Sequence, residues 1–201
     1  MPCDCRRSIL DIHQIPFDRH LEEAEAFHGH LCGGIVSGVR MALRGLKEIG
    51  IRDPKGEDRK NLIVFVEIDR CATDAITSVT GCRPGKRTMK IKDFGKMAAT
   101  FINLETGAAV RLASRGPKGP EGESVEALKL RIKAAADEDL FRIQWGRVPL
   151  EAGDLPGKPV RSAVCAKCGE SILDMRDLTV AGKSLCQPCA EGRHYFIPEG
   201  V

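Results

Sequence analysis

Apolar residues recur at helical spacing from Pro16 to His28, where Phe17, Leu21, Ala24 and His28 share one face and Glu22, Glu23 and Glu25 lie off it. The stripe resumes after His28-Gly29-His30-Leu31-Cys32-Gly33-Gly34, with Ile35, Val39, Ala42, Leu43, Leu46 and Ile49 marking a second helix that stops at Gly50. Cys32 falls near its beginning. The β-branched run from Leu62 to Ile68 is too short for a helix and reads as a buried strand leading into Cys71. A short helix is expected over Ala72–Thr80, ended by Gly81 and followed by Cys82. Two apolar segments, Met97–Leu104 and Ala108–Ala113, flank Glu105-Thr106-Gly107 as strands of a hairpin. After the loop RGPKGPEGE, an amphipathic helix buries Val125, Leu128, Ile132 and Ala135, and a last strand is expected over Leu140–Val148.

Beyond that strand, prolines and glycines interrupt all periodicity up to Pro159, which reads as a linker. The expected organisation is a core over residues 1–148, a linker over 149–160 and a small module over 161–201. The fold class is α+β, with helices packed on a mainly antiparallel or mixed sheet. The 201 residues leave no room for a second full-sized domain.

Composition adds compartment and chemistry. The longest apolar run, Leu62 to Val66, is far too short to span a bilayer, and the start MPCDCRRSIL has no signal-peptide apolar region, so a cytoplasmic protein without a membrane partner is expected. In a reducing compartment the nine cysteines favour metal or thiol chemistry over disulfides. Cys3 and Cys5 lie in an aperiodic terminal segment and read as incidental thiols.

In the module, Cys165-Ala-Lys-Cys168 and Cys186-Gln-Pro-Cys189 have the spacing of a four-thiolate structural site. Zinc and iron both suit four tetrahedral sulfurs. Gly169 after the first pair fits a turned knuckle and Ala190-Glu191 after the second fits a helix start. With a hairpin expected over Asp177–Leu185, this asymmetry resembles a treble-clef zinc finger, so zinc is favoured. From Val160 to Val201 five Lys/Arg balance five Asp/Glu, and a neutral module argues against nucleic acid, whose phosphates call for a basic surplus.

In the core, Cys32 and Cys71 each sit where a helix starts, a position that stabilises a thiolate, and Asp74 lies within reach of the second start. His28, His30 and Cys32 fall within five residues beside glycines. Each has a plain alternative: a buried cysteine is often a small hydrophobe, His28 can be a satisfied core histidine, and Gly34 and Gly38 can be helix-packing positions. The run containing Arg83, Lys86, Arg87, Lys90, Lys92 and Lys96, with Asp93 as its one acid, is either a solvated face or, through Lys86, an attractor of an anionic substrate.

The blocks FHGHLCGGIVSGVRMAL, EIDRCATDAITSVTGCRPGK and IKDFGKMAATF resemble the FmdE family, the E-subunit family of formylmethanofuran dehydrogenase, over about Phe17 to Val148, and the finger resembles one that some members carry. Gly33 stands where proline is common, and Arg83-Pro84 replaces a small polar residue. The resemblance implies an α+β core with a metal or active-site cleft. Its motif maps onto His28, His30, Cys32, Cys71 and Cys82 as ligands, with Cys32, Cys71, Asp74 and Lys86 as candidate catalytic groups. Lacking a ferredoxin-type cysteine run, the chain is not expected to reduce carbon dioxide alone. Three readings follow: an accessory protein of one-carbon or methanogenesis-type metabolism with a second transition metal in its core; a stand-alone thiol- or metal-dependent enzyme; or a zinc-finger interaction protein with silent core thiols. A homodimer is expected, with other redox subunits as further partners.

Overall fold

In the computed structural model, which describes residues 11–116 and 119–196, the chain divides into two compact units with the boundary between Val148 and Pro149. Cys3 and Cys5 lie outside the described residues.

The first unit begins with helix α1 (Phe17–His28), stopped by Gly29 in the left-handed conformation, whose N–H donates to the Glu25 carbonyl. Helix α2 (Gly33–Glu48) buries Ile35, Val36, Val39, Ala42 and Leu46 and rests on β3 (Ala98–Asn103) and β4 (Ala109–Ser114). Two glycines permit this packing. A Cβ on Gly45 would stand 2.3 Å from the Phe101 ring, and one on Gly38 would stand 2.7 Å from Ala75 Cβ in α3 (Cys71–Thr80). Helices α2 and α3 therefore approach at near-backbone distance, which is what brings Cys32 and Cys71 together.

The sheet is mixed, in the order β2-β1-β3-β4-β5. Strand β1 (Leu62–Val66) pairs antiparallel with β3, Val64 opposite Phe101, and parallel with β2 (Met89–Ile91), Val64 opposite Met89, across the α3 crossover. The Glu105–Gly107 hairpin joins β3 to β4 as the pattern predicts, with Gly107 at φ 74°. Alternation sends Leu62, Val64, Val66, Ala99, Phe101, Val110 and Leu112 into the core with the apolar stripe of α2. Strand β2 has no apolar signature, because it is a three-residue edge strand within the basic run. Helix α4 (Val125–Ala134) is capped by the Ser124 side chain, and a short helix α5 (Asp137–Leu140) precedes β5 (Phe141–Gly146). Asp137 accepts from both Arg40 (2.8 Å) and Arg44 (2.7 Å), which explains the helical turn where the apolar pattern starts a strand at Leu140.

Just past the end of β1, the Glu67 carboxylate takes a two-pronged hydrogen bond from Arg111 of β4, at 2.6 and 2.7 Å. Those bonds hold its carboxyl below the ordinary glutamate value of 4.5, against a smaller opposing effect of burial. A carboxyl depressed in the folded state stabilises above its unfolded pKa and loses that contribution as pH falls through the folded one. Glu67→Gln is therefore expected to cost about 1–3 kcal/mol at neutral pH, with the gap from wild type closing below pH 4.5. Urea titrations at neutral and acid pH check this.

The second unit is held by short elements: β6 (Ala163–Val164) pairs with β7 (Ser171–Ile172), β8 (Leu178–Val180) with β9 (Lys183–Leu185), and α6 (Gln187–Glu191) follows Cys186. Part of the expected linker is structured. Ala152–Asp154 forms a 3-10 turn, Asp154 pairs with Arg176 at 2.6 Å, and Gly153 lies so close to the Asp174 carbonyl that a Cβ would stand 2.5 Å from it. Among the described residues no helix is long and apolar enough to cross a membrane.

Candidate metal centres

The first cluster is Cys165, Cys168, Cys186 and Cys189, whose sulfurs all lie within 4.8 Å of one another. Cys165 follows β6, and the turn that carries Cys168 closes with Gly169 donating to the Cys165 carbonyl at 2.9 Å. Cys186 is the N-cap of α6 and Cys189 lies within it. Knuckle, β8–β9 hairpin and helix together make the treble-clef arrangement, and the four sulfurs suit a tetrahedral metal. The thiols interact strongly. Backbone N–H groups of Cys168 and Cys186 pull the Cys165 thiol down to about 6, and the neighbouring Cys186 thiol heads the causes that push Cys189 up to about 12. A cation at the centre removes that mutual opposition.

The second cluster is His28, Cys32 and Cys71, their donor atoms within the same 4.8 Å. Each residue marks a helix terminus: His28 ends α1, Cys32 is the N-cap of α2 and Cys71 opens α3. Gly34 sets the spacing, since a Cβ there would stand 2.9 Å from Cys71 Cβ and 3.7 Å from Cys32 Sγ. The Asp74 carboxylate, one turn into α3, accepts a hydrogen bond from His28 Nδ1 at 2.8 Å. The other ring nitrogen, Nε2, is buried and finds no protein partner. A histidine with Nδ1 held by a carboxylate and Nε2 left open is arranged as a metal ligand. Two sulfurs and one imidazole fit a transition metal such as zinc, and three protein ligands leave a coordination position open.

Four expectations are corrected here. Cys82 is not at this site: it follows Gly81 at the far end of α3, about 15 Å along the helix from Cys71, buried with its thiol toward the Leu62 carbonyl. Burial pushes that thiol up, and it serves as a small hydrophobe. Lys86 is exposed in the Pro84–Lys86 turn at that same end and touches no part of the cluster. His30 is exposed, its ring 4.7 Å from that of His28, and belongs to neither donor set. Cys71 is not a low-pKa thiol as it stands, because burial, then the adjacent Cys32, push it up despite the helix start.

An α+β domain with a His/Cys/Cys cluster at converging helix ends, joined to a four-cysteine finger, defines the class of protein. Residues 27–145 match the family described as "FmdE, Molybdenum formylmethanofuran dehydrogenase operon", and the chain belongs to it. A probable S-adenosyl-L-methionine-binding protein of Archaeoglobus fulgidus is 26% identical over 212 residues, covering 94% of this chain. This chain spans 57% of that relative's length. An FmdE-like protein of Syntrophus aciditrophicus, of the tungsten formylmethanofuran dehydrogenase type, has a similar fold, with a TM-score of 0.56 at 21% identity, covering 94% of this chain and 100% of that one.

Proposed function

We propose that this chain is a metal-binding accessory protein of one-carbon metabolism, in which His28, Cys32 and Cys71 hold a transition metal with one position open to a ligand and the four finger cysteines hold structural zinc. The observation that carries the reading is the His28 ring, braced by Asp74 through Nδ1 and unpartnered at its buried Nε2. A metal bound there supplies Lewis acidity to a group in the open position. The protein's own part is to fix geometry: Asp74 sets the imidazole tautomer and the α2–α3 contact sets the separation of the two sulfurs. In this reading the chain works as a homodimer and beside redox subunits, which bring the low-potential centres that the described residues do not form.

The Archaeoglobus relative's name supports a second reading, S-adenosylmethionine as a ligand, since the similarity runs across 94% of this chain. Calorimetric titration of the metal-loaded protein with S-adenosylmethionine tests it directly.

Metal analysis of the full chain, purified with zinc and passed over a desalting column, is expected to return two equivalents per chain. One equivalent, retained by the finger, overturns the core centre and leaves an interaction protein with silent thiols.

A further inference from the structure

A cleft of about 780 Å³ opens beside the core centre, within the volume range of small-molecule sites. The first turn of α2 forms one wall, Leu128 and Ile132 of α4 with Phe141 form another, and Gly119–Glu123 make the rim. Gly33 lets α4 close the base, since a Cβ there would stand 2.8 Å from Leu128 Cδ2. Gly34 lines the cleft on one side and abuts Cys71 and Cys32 on the other, so one residue separates the cleft from the centre.

The charged residues lining the cleft are Glu121, Glu123 and Arg131. Arg131 is committed: its Nε and Nη2 donate to the two oxygens of Glu123 at 2.8 and 2.7 Å, and Gly119 packs against the pair. That bidentate clamp is neutral as a unit and ties the rim to α4. Glu121 is left, exposed at the rim, so the described lining carries one net negative charge and offers an incoming anion no uncommitted cationic side chain. Met97, Leu128, Ile132, Leu140 and Phe141 make the walls mostly apolar. The anionic substrate suggested by Lys86 finds no support at this cleft, because Lys86 lies at the other end of α3.

We propose that this cleft is a second binding site of the core unit, distinct from the metal centre it adjoins, for a neutral or cationic organic molecule with an apolar ring-bearing body, its polar or charged end set toward Glu121. The site needs no metal to exist, and its position lets a bound molecule reach the open coordination position beyond Gly34.

The probes are three molecules with the same indole body and different charge: tryptamine, indole and indole-3-acetate. Each is titrated into the zinc-loaded full chain, with amide NMR shifts as the readout. Saturable shifts at Gly33, Gly34, Gly119 and Gly122 are expected with tryptamine. Indole-3-acetate is expected to bind roughly tenfold more weakly, since each probe charge meets the rim carboxylate with opposite sign. Glu121→Lys, at an exposed position with little consequence for folding, should invert that order. Leu128→Trp, which fills the cleft, should abolish the shifts. The proposal is overturned if neither tryptamine nor indole binds saturably, if the shifts fall away from these glycines, or if indole-3-acetate binds wild type as tightly as tryptamine. Zinc content measured on the same samples reads the metal centre separately, so either site can fail alone.

Discussion

Cys168→Ser is expected to unfold the second unit and leave the first intact. Among the described residues, the buried apolar side chains after Val148 are Cys165, itself a ligand, and Ile172. The pairing there consists of two ladders of two and three residues, β6–β7 and β8–β9. So little burial cannot offset the entropy of ordering the segment, and the metal supplies the missing free energy, on the order of 10 kcal/mol in structural zinc sites. Removing one thiolate from a four-sulfur cage should release one metal equivalent per chain and open Pro149–Val201 to proteolysis, while the core keeps its cooperative unfolding transition. Limited proteolysis with mass spectrometry, beside metal content, reads both. Light scattering on the same variant tests the proposed dimer: loss of dimer makes the finger its clasp, whereas a fully dimeric variant places the contact elsewhere.

The finger is readable in the sequence because its determinants are local: four cysteines at set spacing, a glycine after the knuckle and a hairpin between. The core centre is readable only in part. Helical periodicity puts Cys32 and Cys71 at helix starts and His28 at a helix end, and the structure agrees. Convergence of the three ends depends on the α2–α3 approach, which glycines at 34 and 38 permit and which their identity alone does not distinguish from ordinary turns or flexibility. The partnership of Asp74 with His28 joins residues 46 positions apart on two helices, and no spacing rule reports it. Spacing alone assigns that carboxylate to its own helix terminus instead.

Cys82 is a different case, because a signal against it is present. A helix over Ala72–Thr80 already separates Cys71 from Cys82 by about 15 Å at 1.5 Å per residue, more than any single metal ion spans. Thiol composition obscures that distance. Strand β2 is hidden for another reason: Met89–Ile91 pairs through its backbone at the edge of the sheet, where lysine side chains are tolerated and the alternation of a buried face is absent. The cleft beside α2 is equally silent, since its rim of Gly119–Glu123 reads as a loop until the Glu123–Arg131 clamp is seen to fasten it.

Cys32→Ser and Asp74→Asn are expected to affect the core centre in graded fashion while sparing the finger. Cys32 supplies one of the two sulfurs, and a serine hydroxyl is a poor replacement for a thiolate on a borderline-soft metal. Its variant should fall from two metal equivalents per chain to one. The fold should persist, because Cys32 is an N-cap that makes no side-chain capping bond and the α2 stripe remains buried. Asp74 touches the centre only through His28, so Asp74→Asn keeps all three ligands and loses the charge that fixes the imidazole. Loss of such a supporting carboxylate weakens metal affinity about 10–100-fold, and competition with a chelator of graded strength should show that shift with two equivalents still bound at saturating zinc. A purely structural role for the Asp74–His28 pair predicts a lower unfolding midpoint with unchanged chelator competition, and that result would reassign Asp74 from positioning a ligand to fastening α1 onto α3.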